Sequence, residues 1–212
     1  QYAEGMMEKP GMTVSRWIDG VLEKNDLIDQ GPNLRALVYW GHAPNSQTRG
    51  KEMVEAMKKL DLLVVIDPYP SASAAMAAMV RKDGVYLLPA STQFETSGSV
   101  TASNRSLQWR ERVISPLFES QTDHAIMYAF AKKFGWEKDF TKNYKMVKPD
   151  PNKMEEPEPE SILREINKSV WTIGYTGQSP ERLKAHMELM GQFDVKTLKA
   201  KAGAKAKNGY DI

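Results

Sequence analysis

Apolar positions along the chain fall into blocks with two periodicities, and the order of the blocks predicts an α/β fold. Ala36-Leu37-Val38-Tyr39-Trp40 is apolar at consecutive positions and ends in Gly41, the pattern of a strand buried on both faces. A polar turn, His42 to Gln47, follows. Between Gly50 and Leu60, Met53, Met57 and Leu60 recur at i, i+4 and i+7 among Lys and Glu, which predicts an amphipathic helix. Leu62-Leu63-Val64-Val65-Ile66 reads as a second buried strand, stopped by Asp67-Pro68. Strand, helix and strand over about thirty residues form a βαβ unit, so the two strands should be parallel.

The same reading continues downstream with weaker signals. Ser71 to Val80, rich in Ala and Met, predicts a short helix, and Gly84 to Pro89 a third strand cut by proline. Ala90 to Gln108 is polar and contains glycine; it reads as a loop unable to form a regular core element. Thr122 or Asp123 is suited to cap a helix that carries Ile126, Met127, Phe130 and Phe134 on one face and stops at Gly135. From Asn143 the chain turns to Lys, Pro, Glu and Asp, the composition of a linker or surface excursion. Helices are predicted over 161–168 and 180–190, the latter with Ser179 as N-cap, Pro180 at the first helical position and Gly191 at the C-cap. The lysine-rich stretch from Lys196 to Lys207 reads as a solvated tail or an inter-subunit surface. The expected organisation is an irregular or helical lead-in (1–33), a Rossmann-like parallel sheet flanked by helices (34–142), a linker (143–160), and an irregular and helical C-terminal extension (161–212).

Composition narrows the chemistry. The 212 residues are 41% hydrophobic and 26% charged, and no apolar run reaches spanning length, so direct membrane insertion is not expected. With 29 basic and 27 acidic residues the net charge is +2, too slight to argue for nucleic acid. Zero cysteines remove disulfides, thiolate zinc sites, cysteine-ligated iron–sulfur clusters and cysteine nucleophiles together. The three histidines, His42, His124 and His186, have no second ligand at metal spacing, so neither a metal site nor a catalytic residue is assigned. His124 and His186 read as structural. The chain opens at Gln1 without the pattern of a targeting leader, and a piece of a longer protein is expected.

Three segments remain as candidate binding elements. The turn from Gly41 to Gln47 lies between a predicted parallel strand and a helix, where backbone amides and the positive helix end favour anionic groups; an ordinary βα loop is the plain alternative. Asp67 ends the second strand, where a carboxylate can accept from the adjacent N1–H and N2–H of guanine, or can simply serve a turn before Pro68. Gln93 to Gln108 concentrates amide, hydroxyl and guanidinium donors suited to a heteroatom-rich ring or phosphates, unless it is only a solvated loop. Neither a Gly-x-Gly-x-x-Gly nor a Walker lysine is present.

The segments Leu34 to Arg49, Leu62 to Pro70, Tyr86 to Arg110 and Trp171 to His186 together resemble the large subunit of respiratory formate dehydrogenases in the molybdopterin oxidoreductase family. The resemblance implies a Rossmann-like domain of a much longer catalytic subunit, one of two that cradle bis-molybdopterin guanine dinucleotide around molybdenum or tungsten. By position it assigns Gly41, His42, Asn45 and Ser46 to the strand-end loop at the cofactor, Asp67, Tyr69, Ser71 and Ser73 to the nucleotide-proximal segment, and Asn104 and Arg105 to a pterin-side region. It implies the remainder of the large subunit and an iron–sulfur electron-transfer subunit as partners, and a periplasmic location. In that family a cysteine or selenocysteine binds the metal and four cysteines hold an N-terminal iron–sulfur cluster. A chain without cysteine has neither, so both belong to sequence outside it and the isolated chain is expected to be inactive. A non-catalytic assembly module that binds a nucleotide or cofactor is the alternative.

Overall fold

The computed structural model describes residues 12–14, 16–23, 33–42, 49–103, 106–169 and 178–188. The chain divides into two compact units, residues 5–91 and residues 92–212 together with 1–4. The boundary thus falls at Ser91/Thr92, well before position 142, where the sequence reading ends the Rossmann-like domain.

The first unit is a three-stranded parallel sheet in the order β1-β2-β3, formed by Ala36–Trp40, Leu62–Asp67 and Tyr86–Pro89. Helices α1 (Trp17–Val21), α2 (Gly50–Lys59) and α3 (Ala72–Val80) complete it. Val38 lies opposite Val64, and Val64 opposite Tyr86, so the predicted βαβ pairing is present with both neighbours parallel. Met53, Ala56 and Met57 of α2 pack with Trp17 and Ile18 of α1, Ala74 and Ala77 of α3, and Tyr39, Leu63 and Val65 of the sheet in one core. The expectation of strands buried on both faces holds for β2, whose Leu63, Val64, Val65 and Ile66 are all buried, and fails for β1. Val38 stays 43% exposed, because β1 is an edge strand and only Tyr39 of its five residues is buried. The buried Arg81 ties α2 to the turn before β3: its guanidinium donates to the carbonyls of Met57 (2.6 Å), Leu60 (2.7 Å) and Gly84 (2.6 Å), which answers the open C-terminal carbonyls of the helix.

The second unit is assembled from small pieces. Strands β4 (Gly98–Thr101) and β5 (Leu107–Arg110) form an antiparallel hairpin. The segment 90–108, read as an irregular loop, therefore contains one strand and the start of a second, whose apolar alternation is too short to stand out; just before them, Glu95 ties Thr92 to Leu117. Burial alone would raise the Glu95 carboxyl, but the N–H groups of Thr92 and Leu117, each at 2.6 Å, hold it below its ordinary value. Helix α4 (Asp123–Phe134) begins and ends as predicted: the Thr122 hydroxyl accepts from the Ala125 N–H, and Gly135 closes it at φ 79°. Its buried face is Ala125, Ile126, Tyr128 and Ala131, whereas Met127 and Phe134 are exposed; the side chains expected to share one buried face do not.

Helix α5 (Glu137–Thr141) follows, then the short antiparallel pair β6 (Met146–Val147) and β7 (Glu156–Pro157). The stretch read as a linker thus folds back on itself and buries Glu156 and Pro157, with Glu156 bonded to the Thr122 hydroxyl. Helix α6 (Pro159–Ser169) extends the prediction over 161–168 at both ends, α7 (Pro180–Glu188) lies within the prediction over 180–190, whose last two residues are outside the described ones, and Ser179 caps α7 by accepting from the Arg182 N–H at 3.1 Å. Leu163 and Leu183 close over Trp109 as a small separate core. The predicted cap at Gly191 and the lysine-rich tail lie outside the described residues.

Candidate functional site

Because β1, β2 and β3 are parallel and adjacent, their carboxyl ends share one edge, and the residues that leave them are brought together there. The Gly41 N–H donates to the Ile66 carbonyl at 2.9 Å and the Ala90 N–H to the Asp67 carbonyl at 3.2 Å, which binds the three exits side by side. Gly41 and His42, Asp67 to Tyr69, and Ala90 with Ser91 form this edge, the location at which open α/β sheets bind ligands.

Gly41 sits at φ 54°, a conformation that suits glycine, and no atom of the described residues lies within 4 Å of the place a Cβ would occupy. His42 is half-buried and packs edge-on against the Tyr39 ring at 6.5 Å. Asp67 turns the chain after β2: its Oδ1 accepts from the Tyr69 N–H at 3.1 Å, while Oδ2 has no partner among the described residues. A carboxylate oxygen carries two lone pairs, so the carboxylate keeps the capacity to accept two parallel N–H bonds from a base. Tyr69 is 70% exposed beside it and offers a ring face.

The remaining candidates are placed differently. The Ser71 hydroxyl is committed to capping α3, where it accepts from the Ala74 N–H at 3.3 Å. Ser73 is fully buried under α3. Asn45, Ser46, Asn104 and Arg105 lie outside the described residues. Of the ten positions drawn from the sequence, Gly41, His42, Asp67 and Tyr69 meet at the strand edge.

Sequence reasoning missed the group that fixes helix α2 behind this edge. Arg49 is its N-cap residue, in the left-handed region at φ 72°, and its guanidinium bonds both oxygens of Asp19 (2.6 and 3.0 Å) and both of Glu52 (2.6 and 3.0 Å). Asp19 is fully buried on α1; the hydrogen bond from Arg49 is the main cause that holds its carboxyl at about 2, against burial, and Arg16 adds to it. The acidic residue inside the apolar WIDGV run was the available signal, but its partner is thirty residues away. Ala90 and Ser91 were also missed; the end of a third parallel strand at Pro89 would have pointed to them.

The edge supplies recognition and placement. Among the described residues no group of three or more His, Asp or Glu could hold a metal ion, and no helix is long and apolar enough to cross a membrane. A group held here would be fixed by backbone at Gly41, by the Asp67 carboxylate and by the Tyr69 ring.

Known proteins carry a similar segment within longer chains. A trimethylamine-N-oxide reductase of Vibrio cholerae is 34% identical over 142 residues, covering 61% of this chain and 16% of its own length. The F420-dependent formate dehydrogenase subunit alpha of Methanocaldococcus jannaschii is 30% identical over 175 residues, covering 82% of this chain and 21% of its own. The chain therefore spans about a sixth to a fifth of these relatives. The solved structure of acetylene hydratase from Pelobacter acetylenicus overlaps 78% of this chain and 19% of that one, at a TM-score of 0.49 and 16% identity. The family profile described as molybdopterin oxidoreductase matches residues 15–133, which include every element of the strand edge, and on that match the chain belongs to the molybdopterin oxidoreductase family.

Proposed function

We propose that this chain is part of the catalytic subunit of a molybdenum or tungsten formate dehydrogenase, and that its strand edge holds the guanine nucleotide of a molybdopterin guanine dinucleotide. Family membership implies a molybdopterin cofactor with molybdenum or tungsten. The observation that carries the finer reading is Asp67: a partly exposed carboxylate at the end of the central strand, fixed on one oxygen by the Tyr69 N–H and without a partner among the described residues on the other, at the same strand edge as Gly41. Guanine presents two adjacent donors, N1–H and N2–H, in the fork such a carboxylate accepts, whereas an adenine or cytosine edge does not. The cofactor supplies the redox chemistry; this chain positions it.

The formate assignment is supported by reach. The match to the formate dehydrogenase alpha subunit extends over 175 residues of alignment, against 142 for the trimethylamine-N-oxide reductase, although the latter is slightly more identical. Under this reading the metal ligand and iron–sulfur cluster reside in the rest of the large subunit, electrons leave through an iron–sulfur subunit, and the assembly works in the periplasm. Two assays on the complete subunit test it. Acid release of its nucleotide should yield GMP, and formate should reduce a viologen dye. A different nucleotide overturns the Asp67 assignment, and dye-coupled turnover with trimethylamine N-oxide in place of formate overturns the substrate. The 212-residue chain alone should show no formate oxidation.

A further inference from the structure

The second unit contains a cavity of about 270 Å³ that the strand-edge reading does not use. It lies between the β4–β5 hairpin, the start of α4, β7 and α6. In the hairpin register Gly98 pairs with Arg110, and because Gly98 brings no side chain, space remains above the guanidinium. A Cβ on Gly98 would stand 3.7 Å from Pro159 Cβ, and its φ of 148° also favours glycine, so the opening depends on this residue.

The wall chemistry is mixed in sign. Arg110 directs Nη2 to the Thr96 hydroxyl at 2.7 Å, and its Nη1 has no partner among the described residues. His124 makes no hydrogen bond among the described residues and senses both Asp123 and Arg110, which places a carboxylate and a guanidinium near one imidazole. Burial is the main cause that pushes His124 below its ordinary value, so the ring is neutral at neutral pH and offers one donor and one acceptor. Glu156 is 6% exposed; burial pushes it up, against the Thr122 hydroxyl on Oε2, and Oε1 has no partner among the described residues. Ile162 and Ile166 supply an apolar side. One cation, one anion, a neutral ring and a second, buried acid are poorly matched to a net charge and well matched to a dipole. Perturbed titratable groups converging on a cavity mark a functional-site candidate.

We propose that this cavity is a binding site for a small zwitterion of amino-acid size, its carboxylate on Arg110, its ammonium toward Asp123 and Glu156, and its apolar group against Ile162 and Ile166. The test is titration of the 212-residue chain with L-alanine, acetate and methylammonium, followed through the His124 Cε1–H resonance. Alanine should saturate the shift with a Kd of about 1 mM, and acetate and methylammonium should bind roughly tenfold or more weakly because each satisfies one charge only. Arg110→Gln should weaken alanine at least about tenfold, with little effect on methylammonium. Equal binding of acetate and alanine would replace the zwitterion with a simple anion and overturn the proposal, as would the absence of any saturable shift. Should Arg110→Gln disturb the hairpin, the order of the three ligands on the unaltered chain still decides.

Discussion

The two units of this molecule solve the burial problem in opposite ways. The first closes one extended apolar core over a parallel sheet, with the central strand β2 buried along four consecutive residues and helices α1, α2 and α3 contributing to the same cluster. The second has two-stranded hairpins, which are marginal alone, and a small core of Trp109, Leu163 and Leu183; polar ties through Glu95, Glu156 and Arg110 do much of the joining. The difference extends to their sites. Under the proposals above, a ligand at the sheet edge would meet backbone and one carboxylate, whereas a ligand in the second unit would be surrounded by side chains whose protonation depends on burial.

Core truncation should expose this contrast most strongly. Leu63→Ala removes a 1%-exposed side chain from the centre of the larger core and should cost about 4 kcal/mol. Leu163→Ala, equally buried in the smaller cluster, should cost about 2 kcal/mol because its neighbours can collapse into the space. Denaturant unfolding monitored by amide exchange in β2 and in α6 checks both, and equal losses would break the comparison. Arg81→Met comes next. It strands three carbonyls in the first unit and should cost about 2 to 3 kcal/mol there, while exchange in α4 and α6 stays unchanged.

The smallest effects concern the two buried acids, which respond to pH in opposite senses. Asp19 titrates at about 2 in the folded chain against an ordinary 3.8, so its contribution is complete above about pH 4 and is lost as pH falls toward 2. Glu156 is raised above its ordinary 4.5, so the folded state holds the proton more tightly; stability is greatest below 4.5 and declines as pH rises through the raised value. Relative to the unaltered chain, Asp19→Asn should therefore flatten the acid limb below pH 4, and Glu156→Gln should flatten the slope just above pH 4.5. Stability measured across pH 2 to 7 gives both differences, and slopes of the same sign would contradict the assigned environments.

The legibility of the sequence follows the same division. Strands β1 and β2 and helix α2 were readable because long apolar periods report burial directly, and Thr122 and Gly135 because cap chemistry is local. Sequence position alone also placed Gly41 and Asp67 at strand ends, and parallel pairing made them neighbours. What was not readable depends on partners far apart in the chain. Glu95 is bonded by Leu117, 22 residues on, Glu156 reaches Thr122 across 34, and Asp19 reaches Arg49 across 30. Short strands of four and two residues carry too few positions for alternation to register, so polar composition at 90–108 and 143–160 was read as loop and linker. The exposure of Val38 was hidden for another reason: an apolar run does not tell an edge strand from a central one.

Asp67 carries the central claim, and one substitution isolates it. Asp67→Asn keeps the shape and one acceptor but presents donors where guanine also donates, so it should weaken nucleotide holding by about 1.5 to 3 kcal/mol. Fold stability should change by less than about 0.5 kcal/mol, since the acid side chain is partly exposed and its Oδ1 acceptor is retained. The decisive measurement is cofactor content and turnover per bound metal in the complete subunit carrying this substitution. Occupancy should fall while turnover per metal stays nearly unchanged. Normal occupancy with reduced turnover per metal would contradict it, because Asp67 would then act at the chemistry instead of at the nucleotide.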